Sequence, residues 1–329
     1  MWEGRRVLVT GAGGFIGSHL VERLVTLGAH VRAFVRYTSR KDVGLLRFVE
    51  NGIFKQLEIV TGDLRDPDAI RQAAQRCELI FHLGALVSIP YSYLHPREVI
   101  ESNILGTLNV LEAARACDSG CVIHTSTSEV YGTARYTPMD EGHPLQGQSP
   151  YSASKIGADG LVHAYWRSFR LPVVTLRPFN TYGPRQSARA VIPTIICQAL
   201  TRDELRLGNL HPTRDFTFVE DTVSAFVAAG TVYQKLVGQE INVGSGREIS
   251  VEDIAKRVLK HTGRELPIVS ESQRTRPASS EVTRLLADNR KAYECLGWAP
   301  RVEFDDGLAA TIEWIIAHPE LYHPDEYTV

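Results

Sequence analysis

Apolar residues in the first half of the chain come in short runs that alternate with segments of helical spacing. Arg6-Val7-Leu8-Val9-Thr10 has the length of a strand, and Ser18-His19-Leu20-Val21-Glu22-Arg23-Leu24-Val25 places its apolar residues three and four apart, like the buried stripe of a helix. Gly28 ends that helix, and Ala29 to Val35 reads as a second strand. Leu57 to Leu64, Leu79 to Ala85, Cys121 to His124 and Val173 to Arg177 predict four more strands. Asn103 to Ala114, rich in apolar and small residues, predicts a helix that serves the core or a subunit contact. Strand and helix in steady alternation predict an α/β fold built on a doubly wound parallel sheet.

The first run meets the first helix at Gly11-Ala12-Gly13-Gly14-Phe15-Ile16-Gly17. Glycines at 11, 14 and 17 permit a tight turn and a close backbone approach. They place a pyrophosphate at the helix N-terminus, where free N–H groups and the helix dipole favour anions. The spacing is GxxGxxG, flanked by strand and helix as a Rossmann-like dinucleotide site requires. Gly11, Gly14, Phe15, Ile16 and Gly17 are therefore the candidate cofactor turn. An NAD site usually has an acid on the ribose hydroxyls at the end of the second strand. Here Arg36 stands there, followed by Tyr37-Thr38-Ser39-Arg40. With no acid to repel it, a 2′-phosphate would be held by Arg36, Ser39 or Arg40, so the expected cofactor is NADP rather than NAD. Asp63, at the tip of the third strand, is placed to accept from an adenine amino group. Leu64 beside it, and Leu83 and Ala85 in the fourth strand, complete the cofactor candidates.

Composition narrows the function. The chain has 329 residues, 43% hydrophobic and 22% charged, with a formal net charge of -2. Lys and Arg are scattered, so neither nucleic acid nor an anionic membrane is an expected partner. No apolar run approaches the roughly 20 residues of a membrane span, and no signal-peptide pattern precedes the first strand, which predicts a cytoplasmic protein. The five cysteines, Cys77, Cys117, Cys121, Cys197 and Cys295, lack the paired spacings of zinc or redox motifs, so no metal site is expected.

The chemistry is expected where the fifth strand ends. Thr125-Ser126-Thr127-Ser128-Glu129-Val130-Tyr131-Gly132 follows it, and ligands in such sheets bind outside the carboxyl ends of strands. A loop from Thr133 to Pro150 then delivers the chain to Tyr151-Ser152-Ala153-Ser154-Lys155. Four residues apart on a helix, Tyr151 and Lys155 share one face. A nearby ammonium favours the phenolate, so the expectation is a Tyr151 pKa lowered toward neutrality and a usable general base toward an alcohol.

On these residues the chain resembles the extended short-chain dehydrogenase/reductase family over nearly its whole length. The resemblance implies that Tyr151 removes a sugar hydroxyl proton while the nicotinamide takes hydride from the same carbon. It implies that Lys155 holds the cofactor ribose, and that Thr127 hydrogen-bonds the oxygen being oxidised. Thr127-Ser128-Glu129 is similar to the Thr-Ser-Glu of GDP-mannose 4,6-dehydratases and UDP-glucuronate decarboxylases. Thr125 to Gly132, His143 to Pro150 and Arg177 to Pro193 look most like the 4,6-dehydratases of legionaminic-acid-type pathways, which act on a nucleotide-linked N-acetylglucosamine. A carboxylate has a purpose there: once C4 is a ketone, the C5–H becomes acidic, and Glu129 would remove it as water leaves C6. Ser128 stands where dTDP-type enzymes have an acid, so the proton for that water would come from Glu129 or a relayed water.

The second half changes character after Arg177, with loops rich in Pro, Gly and Arg. This predicts a nucleotide-binding Rossmann domain at residues 1–179, to which the chain returns near 215–245, and a smaller substrate-binding domain at 180–329. The resemblance places substrate contacts at Ser88, Asn180 and Val191, and assigns Arg214 and Arg276 to the diphosphate. Guanidiniums suit a diphosphate because each makes forked, charge-assisted hydrogen bonds. It also implies a homodimer through helices near 100–116 and 151–169. The helical spacing of Val251 to Thr262, and Trp314 with Ile315-Ile316 on a last amphipathic helix, predict core rather than site. The expected substrate is thus a nucleotide-diphosphate sugar. The readings in competition are a 4,6-dehydratase on a UDP- or GDP-linked hexose, a decarboxylase or 4-epimerase of the same family, and a non-catalytic NADP-binding scaffold.

Overall fold

The computed structural model of the chain describes residues 2–271, 277 and 280–322. The nucleotide-side half runs β1 (Arg6–Thr10), α1 (Phe15–Thr26), β2 (His30–Arg36), α2 (Asn51–Phe54), β3 (Glu58–Gly62), α3 (Pro67–Ala74) and β4 (Leu79–His82). It continues through α4 (Ile89–Leu94), α5 (Pro96–Ile100), α6 (Gly106–Ala116), β5 (Cys121–Thr125), α7 (Pro150–Phe169) and β6 (Val173–Pro178). The remainder comprises β7 (Asn180–Tyr182), α8 (Val191–Thr201), β8 (Leu205–Leu207), β9 (Thr213–Phe218), α9 (Val219–Val232) and β10 (Glu240–Val243). β11 (Glu248–Ser250), α10 (Val251–Thr262), β12 (Ile268–Ser270), α11 (Arg290–Leu296) and α12 (Phe304–Ala317) follow.

Seven strands form one parallel sheet in the order β10-β6-β5-β4-β1-β2-β3. Its strands are near-continuous apolar runs because both faces are covered. Val7 and Val9 enter the core shared with α1 and α9, while Leu8 between them enters the core under α3, α6 and α7, the two-residue alternation of a strand. The order reverses between β1 and β4, so a crevice opens at their carboxyl ends. β10 comes from far along the chain and closes the sheet beyond β6, and α9 packs against α1. A smaller sheet, β11-β9-β7, and the pair β12-β8 lie with α8, α10 and α12. No helix among the described residues is long and apolar enough to cross a membrane.

Three sequence expectations change. Leu83 to Ala85 and Leu64 lie in loops after shorter strands than expected. The helix expected over 103–114 instead begins as a π-turn at Glu101–Leu105 and becomes α-helical at Gly106. The cause is Asn103, whose side chain leaves the helix surface to accept from Leu86 N at 2.8 Å and donate to Leu86 O at 2.9 Å. Finally, Ile316 on α12 is 57% exposed and lies outside the core.

Candidate active site

The turn between β1 and α1 is shaped for a close neighbour. Gly11 has φ +69°, and a Cβ there would stand 2.7 Å from Gly84 N. A Cβ on Gly17 would penetrate Gly11 O. Gly14 is the N-cap of α1 and provides no side-chain cap, so the first N–H groups, from Phe15 to Gly17, face the crevice without one. The opposite wall is the loop after β4, where Gly84 N donates to Thr10 Oγ1 at 3.1 Å and a Gly84 Cβ would meet Leu64. Asn103 holds this loop from one side and donates to Ser154 Oγ of α7 at 2.9 Å from the other. Asn103 thus ties the loop at Leu86 to α7, a role that only a partner distant in sequence reveals. A bare helix N-terminus facing glycine backbone fits a dinucleotide pyrophosphate.

The adenosine side is charged. Asp63 is gripped by Arg65, Nη2 to Oδ2 at 2.6 Å and Nε to Oδ1 at 3.0 Å, and this hydrogen bond holds the carboxyl below its usual range. Arg36 is 65% exposed and lies 3.5 Å from Glu98 Oε1. The expectation that no acid stands near Arg36 is therefore corrected: the acid comes from α5 rather than from the end of β2. Ser39 and Arg40 are exposed on the following loop.

Helix α7 carries the phenol and the ammonium. It starts on a capping box, with Ser149 Oγ accepting from Ser152 N and Pro150 in the first turn. Tyr151 and Lys155 fall on one face, both buried. Thr127, at the end of the segment after β5, caps the turn Ser128–Tyr131 by accepting from Glu129 N at 3.2 Å, and lies beside the Tyr151 phenol. Ser128 is buried and Glu129 half-buried beside it. The structure thus brings Thr127, Ser128, Glu129, Tyr151 and Lys155 together at the carboxyl end of β5.

One electrostatic expectation is overturned. The Tyr151 pKa is raised, first by burial and then by the charges of Glu129 and Asp159, against the neighbouring Thr127 hydroxyl. Lys155 donates its ammonium to Thr125 O at 2.6 Å rather than to the phenol. Burial in turn brings Lys155 down to about 8, opposed by the Asp159 charge.

A buried polar chain lies beneath, unmarked by sequence reasoning. Asp159 Oδ2 accepts from Ser126 Oγ at 2.8 Å and from Arg177 Nε and Nη2 at 3.3 and 3.2 Å. Burial pushes the Asp159 carboxyl up, but the His124 hydrogen bond and the Arg177 and Lys155 charges outweigh it, so its pKa lies below the ordinary value. The sequence signal is present in retrospect: an arginine inside the apolar strand Val173–Pro178 is costly unless it is paired.

The expected substrate residues are more dispersed. Asn180 begins β7, and its Oδ1 is buried without a hydrogen-bond partner among the described residues, a group that a ligand donor would satisfy. Val191 opens α8, whose N-cap Ala190 offers no side-chain cap. Ser88 caps α4 by accepting from Tyr91 N at 3.2 Å. Arg214 is buried, with Nη2 3.4 Å from Glu281 Oε1, so it faces an acid as well as any phosphate. Arg276 lies outside the described residues. The described residues contain no cluster that would hold a metal ion, and the five cysteines are free thiols.

A Rossmann-type crevice with the Tyr/Lys pair of α7 beside the end of β5 is an arrangement that suits nicotinamide-dependent chemistry on an alcohol. The family model described as GDP-mannose 4,6 dehydratase matches residues 8–311. A UDP-glucose 4-epimerase from Mycolicibacterium smegmatis is 35% identical over 94% of this chain and 98% of its own length. DesIV, a dTDP-glucose 4,6-dehydratase from Streptomyces venezuelae solved with NAD, superposes with a TM-score of 0.85 at 29% identity, covering 97% of this chain and 99% of its own. UDP-glucuronic acid 4-epimerase from Bacillus cereus, solved with UDP-glucuronic acid and NAD, gives 0.86 at 29% identity over 95% and 99%. The chain belongs to the NAD-dependent nucleotide-sugar dehydratase/epimerase family of extended short-chain dehydrogenase/reductases.

Proposed function

We propose that the protein is a nucleotide-diphosphate-sugar 4,6-dehydratase, acting on a UDP- or GDP-linked N-acetylglucosamine or a related hexose. The observation that carries this is Glu129, a half-buried carboxylate on the turn capped by Thr127, near enough to the Tyr151 phenol for its charge to raise that phenol's pKa. Oxidation alone needs a base and a hydride acceptor; a second carboxylate at the same centre suits removal of a C–H proton next to the new ketone.

Tyr151 takes the proton of the C4 hydroxyl, while Thr127 hydrogen-bonds that oxygen. Bound at the glycine turn, the oxidised nicotinamide supplies the acceptor for the C4 hydride, a positive ring charge, and the hydride later returned to C6. Tyr151 acts from its phenolate, which the Lys155 ammonium one turn away favours, and becomes the neutral phenol on taking the C4 proton. Glu129 removes the C5 proton as the C6–O bond breaks. The departing hydroxide takes the proton from Glu129, directly or relayed through a water, and leaves as water; Tyr151 then releases the proton it took, and one from solvent enters C5 as hydride reaches C6. The sugar loses one water and the cofactor ends as it began. Asn180, Val191, Ser88, Arg214 and Arg276 are the proposed substrate contacts, in a substrate-binding part drawn from residues 180–329, of which α9 and β10 return to the Rossmann part at 1–179. The favoured nicotinamide is NADP, on the strength of Arg36, Ser39 and Arg40; the solved relatives named above carry NAD, and titration of the stripped enzyme with each decides between them. A cytoplasmic homodimer through α6 and α7 completes the proposal.

The nearest rival is 4-epimerisation, favoured by the relative at 35% identity. Incubation with UDP-, GDP- and dTDP-hexoses in heavy water separates the two. A product lighter by one water with deuterium at C5 is expected, and Glu129→Gln should lower its formation about 100-fold. An isomer of unchanged mass, inverted at C4, would replace the dehydratase reading by the epimerase.

A further inference from the structure

The buried chain beneath the site runs farther than Asp159. Arg177 donates through Nη1 to Tyr131 Oη at 3.1 Å, and its guanidinium lies 5.2 Å from the Tyr131 ring centre. Tyr131 donates to Asn242 Oδ1 of β10 at 2.7 Å, and Asn242 donates through Nδ2 to Met139 O at 3.0 Å. Glu141 accepts from Asn242 N at 2.8 Å. Asp159, Arg177, Tyr131 and Asn242 are all buried, Tyr131 and Asn242 completely.

The ends of this chain are the informative part. Asp159 is one helical turn beyond Lys155 on α7, and Tyr131 is two residues beyond Glu129 on the turn Ser128–Tyr131. Arg177 on β6 grips both with one rigid fork, two N–H groups toward Asp159 and one toward Tyr131. The elements so joined are those that carry the phenol and ammonium and the second carboxylate. A buried ion pair contributes little net stability over apolar residues of the same volume, and its best attested service is to fix register. Asn242 and Glu141 brace Tyr131 from the far side, so the turn cannot pivot about its Thr127 cap without breaking bonds in a dry interior.

We propose that Arg177 is a positioning residue that locks the Glu129 turn to the Tyr151/Lys155 helix, so that proton removal by Glu129 is geometrically matched to the oxidation at Tyr151. The inference rests on the dehydratase reading for the role of Glu129. It assigns to Tyr131 and Asp159 the two arms of the lock, and makes the second half of the reaction more sensitive to it than the first. A displacement of about 1 Å at a reacting group lowers a rate by about 100-fold. The Tyr151/Lys155 pair keeps its own helix when the lock is opened at Tyr131, whereas the Glu129 turn loses its side-chain tie to Arg177 and Asn242 and keeps only backbone and packing contacts such as Val130 O accepting from Gln146 N among the described residues.

Tyr131→Phe opens the lock while keeping the ring, and Arg177→Lys keeps the charge but loses the fork. For wild type and each variant, three quantities are followed: reduced-cofactor absorbance in the first turnover, steady-state product, and solvent deuterium entering C5. With Tyr131→Phe, product formation and deuterium entry should fall together by 10- to 100-fold. First-turnover hydride transfer should fall less than about 3-fold, KM should hold, and reduced cofactor should build up. Arg177→Lys should show the same split. Equal losses in hydride transfer and product, or no loss in either, would overturn the lock. A wild type that takes up no deuterium ends the dehydratase reading separately. The lock is then judged on the lifetime of the reduced cofactor, which an epimerase also forms, and an unchanged lifetime in Tyr131→Phe overturns it.

Discussion

Lys155 is the most exposed to test of the single residues, because its environment opposes its charge. It is buried, its ammonium donates to Thr125 O, and burial lowers its pKa from 10.5 to about 8. The folded chain therefore releases this proton earlier than the unfolded chain. Between pH 8 and 10.5 the unfolded state binds more protons, so stability rises with pH across that window; below pH 8 the full penalty is present. A shift of this size corresponds to about 3 kcal/mol. Lys155→Met should accordingly unfold at higher denaturant than wild type at pH 7, with the advantage shrinking as pH approaches 10. Paired urea titrations of cofactor-stripped protein at pH 7, 8.5 and 10 measure this, and a constant difference would show that burial of the ammonium carries no penalty. The Tyr151/Lys155 pair was legible because its spacing is local. The charge state was not: sequence suggested a phenol lowered by its lysine, whereas burial and two carboxylates raise it. Asp159, Arg177 and Asn103 escaped notice because their partners lie on other elements, and only the fold brings those together.

Among the elements, the glycine turn is where sequence and structure agree most closely, since its constraint is steric and contained within seven residues. Gly17 has no room for a side chain because Gly11 O occupies the space a Cβ would take, and both atoms belong to backbone. Gly17→Ala must push β1 away from α1, which should cost at least about 2 kcal/mol and displace the N–H groups offered to the pyrophosphate. Loss of cofactor retention on gel filtration, together with a lowered melting temperature, is the expected result; a variant that keeps its cofactor would show that the turn does not hold the phosphates. Element ends were harder to read. The π-turn at Glu101–Leu105 has ordinary helical composition, and its cause is a hydrogen bond between Asn103 and a loop after another strand. By contrast Val251–Thr262 was read to the residue, because Ser250 caps its start and Gly263, at φ +65°, ends it.

For the whole molecule, the alternation of strand and helix disclosed the parallel sheet, and Asn242-Val243-Gly244 marked the end of a returning strand, but its pairing with β6 is set by the fold and not by local pattern. Association is the property of the whole that the surface addresses. Leu105 at the start of α6 is 47% exposed and Phe169 at the end of α7 is 50% exposed. The two helices pack side by side, and Arg115 near the end of α6 lies 4.1 Å from the Phe169 ring centre. Burying a leucine or phenylalanine fully is worth about 1.5–3 kcal/mol, and a two-fold interface buries each twice. In the proposed homodimer, Leu105→Glu would place two carboxylates in the interface, near the Glu112 already on α6. It should convert a dimer to monomers at micromolar concentration, while the secondary-structure spectrum stays unchanged because Leu105 is an exposed side chain. Leu145→Glu, at a residue 42% exposed on the loop before α7, serves as the control and should leave the dimer intact. Sedimentation velocity on the three proteins reads the result. A monomeric wild type at tens of micromolar, or a Leu105→Glu that remains dimeric, would remove α6 and α7 as the contact and leave their apolar residues as surface features of a monomer.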